Sequence, residues 1–382
     1  MLVWLNDWLY VPGAESSGLI KITLRAALAA MASFTLALFW GPRLIAWLRV
    51  RYRERVVTTS AGLTELHRDK QATPTMGGLF LVAGLCAALA VFGDLSNPFI
   101  GLALMLVIGL AWLGAWDDLT KLTGDSPGIS PAAKLAGQTL IAAAVSFLLY
   151  EHHRETAGAL DLVLPLVGER LQLGWLFVPL SIIVIVGSSN AVNLADGLDG
   201  LAGGCLIFCT AAMAVAAYAA GHVEMARYLG VTAVPGAGEM LIVAAAMIGA
   251  VLGFLWFNCH PAQVFMGDTG SLPLGGLLGL MAVVARQELL LVVVGGVFVA
   301  EAVSVIVQVA YFKLRGRRLL RCAPLHHHFQ FLGWPENKIV VRFWIASALC
   351  AVLGIAALKF NVYDGSPLEP SSITAAEGVL RR

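Results

Sequence analysis

About ten stretches of this chain run for roughly the 20 apolar residues that a transmembrane helix needs. They lie near residues 22–42, 75–93, 98–116, 131–150, 173–190, 200–220, 239–257, 271–286, 289–311 and 339–358. Strand-length alternation of apolar and polar residues is missing from them, so helices rather than a closed barrel would satisfy the backbone in lipid. Hydrophobic residues make up 59% of the chain and charged ones 13%, with a mean hydropathy of +0.81, more apolar surface than a soluble fold of 382 residues needs. The expected fold is an all-α integral membrane protein of about ten transmembrane helices. No linker separates two bundles, so residues 1–382 read as one polytopic domain. Residues 1–20 read as an outer segment with an interfacial pattern (Trp4, Leu5, Trp8, Leu9), and 363–382 as a polar, disordered tail. Alternation around Leu160–Leu164 and Leu171–Leu173 predicts a small outer hairpin.

Basic residues give the orientation. The connection 43–74 carries Arg43, Arg49, Arg51, Arg53, Arg55, Arg68 and Lys70; the connection 313–342 carries Lys313, Arg315, Arg317, Arg318, Arg321, Lys338 and Arg342. Lys121 and Lys134 lie in a third connection on the same side. The positive-inside rule makes that side cytoplasmic and, with an even number of spans, puts both termini outside. The charge asymmetry therefore reflects topology rather than nucleic-acid binding. The six cysteines include no C-x-x-C pair, which leaves no disulfide framework and no zinc site to read.

Four polar blocks fall on the basic side: Asp117-Asp118, the run Asn190–Asp199, the run Phe265–Ser271, and His326-His327-His328. A carboxylate at the bilayer centre costs about 2.5–3.5 kcal/mol on insertion scales, so the Asp pair belongs at an interface or in a wet cleft. Adjacent carboxylates suit a divalent cation, or a base beside a metal ligand; a solvated helix end is the plain alternative. Asn190, Asn193, Asp196 and Asp199 gather at what reads as the start of a span, among glycines that permit close backbone approach. Asp268 sits between Gly267 and Gly270 just before another helix. One carboxylate from each of several loops is the usual way to hold Mg²⁺ against a phosphate. Phe265 reads as a membrane anchor or a base-stacking ring. Three consecutive histidines do not share one helix face, which argues against a three-histidine zinc site and for imidazoles near phosphate. Lys70 and Thr75 (in DKQATPTMGG) are weaker signals. Glu301 and Gln308 lie inside an apolar stretch, where a functional role and a helix brace are both open. Together these residues suit phosphoryl transfer between a soluble diphosphate and a lipid phosphate at the membrane edge.

In order, TPTMGG (73–78), Asp117-Asp118, NLADGLDGLA (193–202), VFMGDTGSL (264–272) and APLHHHFQFLGW (323–334) resemble the motifs of the phospho-N-acetylmuramoyl-pentapeptide transferases, over about residues 20–358. The Asp pair and the FMGD loop are shared with the wider superfamily of polyprenyl-phosphate sugar-1-phosphate transferases; PLHHHF and TPTMGG are more specific. The resemblance implies ten transmembrane helices with both termini outside, an active site on the cytoplasmic face of the bacterial inner membrane, Mg²⁺ dependence and a homodimer. It implies attack of undecaprenyl phosphate on UDP-N-acetylmuramoyl-pentapeptide, giving lipid I and UMP. Asp268 resembles the Mg²⁺ ligand and a catalytic residue. Asp117 and Asp118 resemble catalytic carboxylates near the lipid phosphate, and His326, His327 and His328 the catalytic-loop histidines. Lys70, Thr75, Asn190, Asp196, Asp199, Asn258, Phe265 and Gln308 match residues of the uridine-diphosphate pocket, with Asn193 beside them as a further substrate-binding candidate. Gln330, Phe331-Leu332, Pro273 and Ala72 depart from the usual pattern, which puts loop geometry rather than the reaction class in doubt.

Two rivals remain. A sister transferase would use another UDP-N-acetylhexosamine. A transporter would carry its polar site near the midplane, often in repeated halves, whereas here the polar blocks share one side and no repeat is visible.

Overall fold

A computed structural model describes residues 22–51, 73–123, 128–155, 158–164 and 170–360. The expected N-terminal segment, the polar tail and Lys70 lie outside the described residues. Thirteen α-helices are described: α1 (Ile22–Arg51), α2 (Gly78–Phe92), α3 (Pro98–Thr123), α4 (Pro131–His153), α5 (Phe177–Ala195), α6 (Leu201–Ala220), α7 (Val223–Leu229), α8 (Met240–Asn258), α9 (Asp268–Val284), α10 (Glu288–Val294), α11 (Gly296–Arg315), α12 (Leu325–Phe331) and α13 (Glu336–Ala357). Among the described residues, eight helical segments are long and apolar enough to cross a membrane. Two more apolar helices, Gly78–Phe92 and Asp268–Val284, are shorter. The protein is an all-α, multi-pass membrane protein. Phe39, Trp40, Ile108, Trp112, Leu140, Ile183, Ile306 and Leu353 stand exposed on its outer surface, where lipid rather than water would cover them. The hairpin is present: β1 (Asp161–Val163) pairs antiparallel with β2 (Arg170–Gln172), Leu162 opposite Leu171.

α9 is the axis of the bundle. All of its residues are buried, against α3 on one side and α5 on another. A helix walled by protein need not match the thickness of the bilayer, which is how 17 residues suffice here. Small residues let the neighbours close in, as is general where lipid supplies no hydrophobic drive. A side chain at Gly275 or Gly279 would run into the α5 backbone around Ser188 and Ile185. α1 packs likewise on α8, where Ser33 Oγ donates to Ala246 O at 2.8 Å.

Helix lengths differ from the apolar spans in a way that matters for the site. α3 continues past Trp116 to Thr123, so Asp117-Asp118 is helical rather than part of a connection. Asn190 and Asn193 lie in the last turns of α5, the end of a span and not the start of one. The stretch 289–311 is broken at Gly295-Gly296 into α10 and α11, because paired glycines there weaken a helix that hydropathy reads as continuous.

The end of the bundle away from the site is tied by a buried ion pair. Arg25 donates from Nη1 and Nη2 to Glu239 at 2.8 and 2.7 Å, and from Nη2 to Phe92 O at 2.7 Å. Removing one partner leaves a buried charge unmet, which costs about 3–5 kcal/mol. Glu239→Ala is therefore expected to lower the apparent melting temperature in detergent, with the turnover of the folded fraction within about twofold of wild type.

Candidate active site

At the opposite end α3 finishes in two polar turns. Asp117 and Asp118 are 2% and 3% exposed, which removes the reading of a solvated helix end. Charges this deep need partners. Lys121 follows Asp117 by one turn of the same helix, a spacing that brings side chains together. Its Nζ lies 2.8 Å from Asp117, 2.9 Å from Asp268 and 3.7 Å from Asp118. Lys134 comes from the first turn of α4, a helix opened by Pro131 and capped by the Ser130 hydroxyl. It bonds Asp268 and lies 3.4 Å from Asp117. The Ile129 N–H donates to Asp117 at 2.8 Å. Three carboxylates against two ammonium groups leave the cluster one negative charge in excess.

Asp268 is 6% exposed and is the first residue of α9. Its other oxygen accepts from Asn193, which reaches across from α5 and also donates to Ser271 Oγ at 2.8 Å. Asp118 turns the other way and caps α9. It accepts from Asp268 N at 3.1 Å, from Thr269 N at 2.9 Å and from Thr269 Oγ1 at 2.7 Å, meeting amides that a helix start leaves free. α3 can cross so near because residue 114 is glycine; a Cβ there would collide with the Asp268 carbonyl. Thus Asp117 faces the lysines, Asp118 holds the helix that presents Asp268, and the adjacent pair divides two tasks.

Two sequence blocks pair along their backbones. Phe265 N donates to Pro74 O, and Gly77 N to Phe265 O, both at 2.8 Å, with Gly78 N to Met266 O at 2.9 Å. This seats TPTMGG against FMGD and places buried Thr75 beside Gly267. The run 190–199 spans the whole site. Asn190 donates to Gln138 Oε1 and Val186 O, both at 2.8 Å. Asn193 meets Asp268, and Asp196 follows the α5 end. Asp199 accepts from His260 Nδ1 and Ala262 N, each at 3.1 Å. Asn258 joins two segments, accepting from Gly200 N and donating to Val264 O, both at 2.9 Å.

The histidines form part of α12, not a loop; the His326 and His327 rings touch edge to face with centroids 4.2 Å apart, yet their nitrogens meet different partners. His326 is fully buried and meets Glu301. His327 Nδ1 lies 2.8 Å from Gln330 Oε1, and His328 Nδ1 accepts from Arg321 N at 3.2 Å. Gln308 accepts from Leu319 N and Leu320 N at 3.1 and 2.9 Å, so it fastens the basic loop to α11.

Two groups of side chains have the chemistry to hold a divalent cation. Asp117, Asp118 and Asp268 offer the hard oxygens Mg²⁺ prefers, and the Lys121 ammonium already sits among all three. Asp199, His260 and Glu336 bring ligand atoms within 4.8 Å of one another. The oxygen-only donor set of the first group fits Mg²⁺ better than a set that includes an imidazole.

Sequence reading passed over Lys121 and Lys134 as topology signals, although the four-residue spacing from Asp117 to Lys121 marked a pair. His260 and Glu336 carried no local signal, since they meet Asp199 only through the fold.

Residues 100–286 match the family model of glycosyl transferase family 4. That stretch runs from the start of α3 to just past α9, so it contains the carboxylate cluster, both lysines, Asn193 and Asp199, and ends before the histidine block. The match supports a phosphoglycosyl transferase of the polyprenyl-phosphate sugar-1-phosphate superfamily, in agreement with a multi-pass membrane fold that gathers buried carboxylates at one end.

Proposed function

We propose that the protein transfers phospho-N-acetylmuramoyl-pentapeptide from its UDP-activated form to undecaprenyl phosphate at the cytoplasmic face of a bacterial inner membrane, giving lipid I and UMP. A lipid-phosphate oxygen forms a bond to the β-phosphorus of the nucleotide sugar. The bond from that phosphorus to the bridging oxygen breaks, and UMP leaves with the electron pair. The observation that carries the reading is the buried cluster of Asp117, Asp118 and Asp268 bridged by Lys121 and Lys134 at one end of the bundle. The choice of donor rests on TPTMGG and PLHHHF, outside the stretch that the family model matches.

Asp268, with Asp117 beside it, would hold Mg²⁺, which supplies positive charge to the diphosphate and its leaving group. Lys121 and Lys134 are placed to turn from the carboxylates toward phosphate oxygens when substrate enters. Asp118 keeps Asp268 in place through the α9 amides. The Asp196–Asp199 turn, Asn258 and Phe265 are assigned to the uridine end. Asp117 accepts from Lys121, Lys134 and Ile129 N, a set of partners that suits a carboxylate which positions cations. A phosphate monoester has its second pKa near 6, so the lipid phosphate needs little help to attack directly at about pH 7. No acyl-phosphate is therefore expected on Asp117, and hydroxylamine trapping during turnover checks this. One phosphoanhydride replaces another, so UMP should run the reaction backward.

The test is UMP release by the detergent-solubilised protein given the muramoyl-pentapeptide donor, undecaprenyl phosphate and Mg²⁺. Release is expected to need the lipid, to stop with a chelator and to return with Mg²⁺. Release only with UDP-N-acetylglucosamine would move the protein to a sister transferase. No release with either donor would overturn the reading.

A further inference from the structure

Glu301 is a charged residue in a helix otherwise read as apolar, and it is fully buried. Both of its oxygens turn to one residue. Oε1 accepts from the His326 backbone N–H, and Oε2 lies 3.2 Å from His326 Nδ1. This two-point hold fixes the position of the imidazole and also its proton. A carboxylate oxygen only accepts, so Nδ1 carries the hydrogen and Nε2 is the ring nitrogen left to act. That nitrogen is buried and has no hydrogen-bond partner. It points at Gly197, where a Cβ would collide with it, within the turn that also carries Asp196 and Asp199. A buried polar atom without a partner is uncommon in a folded protein and calls for a physical account.

We propose that Glu301 is a positioning residue for the transfer. It holds His326 in the Nδ1–H form, so that Nε2 faces the Asp196–Asp199 turn and meets a polar group of the nucleotide-sugar donor there. Glycine at 197 gives the ring its approach. This rests on reading the site as a transferase that takes a nucleotide sugar. His326 is the member of the histidine block that reaches donor; His327, turned to Gln330, and His328, turned to Arg321, brace α12 and the segment before it.

Glu301→Gln keeps the shape but puts an amide N–H₂ opposite one of two donors. The imidazole then loses its hold or shifts its proton to Nε2. The expected result is a fall in kcat of about 100-fold, with the KM for the donor within about threefold, since a wrong tautomer impairs the chemical step more than binding. Glu301→Asp keeps the carboxylate and should recover part of the rate. ¹⁵N spectra of histidine-labelled protein, with the His326 signal assigned by its loss in His326→Asn, should show Nδ1–H in wild type and its loss in Glu301→Gln. Nε2–H in the wild-type protein would overturn the proposal even if the Glu301 variants fail to fold. So would a Glu301→Gln enzyme with kcat within about threefold of wild type. If the wild type turns over no nucleotide sugar, the transferase reading falls, while the tautomer still decides whether Glu301 orients His326.

Discussion

Asp268→Asn should abolish UMP release, by at least about 1000-fold, and leave the protein folded. Asparagine has the size of aspartate and keeps one oxygen for Asn193 or a lysine. The α9 start does not depend on the Asp268 side chain, because Asp118 meets the first amides of that helix. What disappears is the negative charge between Lys121 and Lys134, which lie against Asp268 on one side while Asn193 holds the other. Under the proposed function this is also the charge that holds Mg²⁺, so raising the metal concentration should restore little of the rate. Lys121 and Lys134 keep Asp117 as a partner, so the melting temperature in detergent should fall by less than in Asp118→Asn. An Asp268→Asn enzyme within about tenfold of wild type would place the metal, and with it the reaction centre, elsewhere. The group at Asp199, His260 and Glu336 would be examined next.

The fold was legible where lipid imposes it. A segment that crosses hydrocarbon must be apolar over about 20 residues, and each expected span corresponds to helix in the structure. Hydropathy reports depth in the membrane, however, and not where a helix stops. The polar turns Asp117–Thr123 and Asn190–Ala195 remain helical because a helix meets its own backbone hydrogen bonds outside lipid as well as inside it, and they were read as connection or as the start of a span. The break at Gly295-Gly296 was hidden for the converse reason, since both sides of it are apolar.

In the site, carboxylates stood out because charge beside an apolar span is costly. Lysines did not, since such lysines are routine at membrane edges. Lys121 and Lys134 acquire their role only when α9 brings Asp268 to both. The separate tasks of Asp117 and Asp118 were likewise out of reach. They follow from the crossing of α3 and α9 at Gly114, a long-range contact that no local spacing encodes. Gln308 fell among the pocket candidates on motif alone, and its amide proves to fasten the 319–320 backbone.

Asp118→Asn should differ from Asp268→Asn in kind, although both remove one charge from one cluster. Asp118 uses both oxygens as acceptors: one for Asp268 N, the other for Thr269 N and Thr269 Oγ1. Asparagine offers a single acceptor oxygen. Its N–H₂ group must then face either the Asp268 amide or the Thr269 pair, donor against donor, in a place too buried for solvent to relieve it. Losing a helix cap costs about 0.5–2 kcal/mol and stranding a buried amide about 1–3 kcal/mol, so a loss of about 2–4 kcal/mol is expected. The start of α9 shifts with its cap, and Asp268 shifts with it. A misplacement of about 1 Å at a reacting centre can cost about 100-fold in rate. Asp118→Asn should therefore lower the melting temperature more, and kcat less, than Asp268→Asn does. Melting curves and UMP release on the two variants side by side separate the roles. If Asp118→Asn melts with wild type and loses only rate, the cap is dispensable, and Asp118 acts on substrate or metal directly.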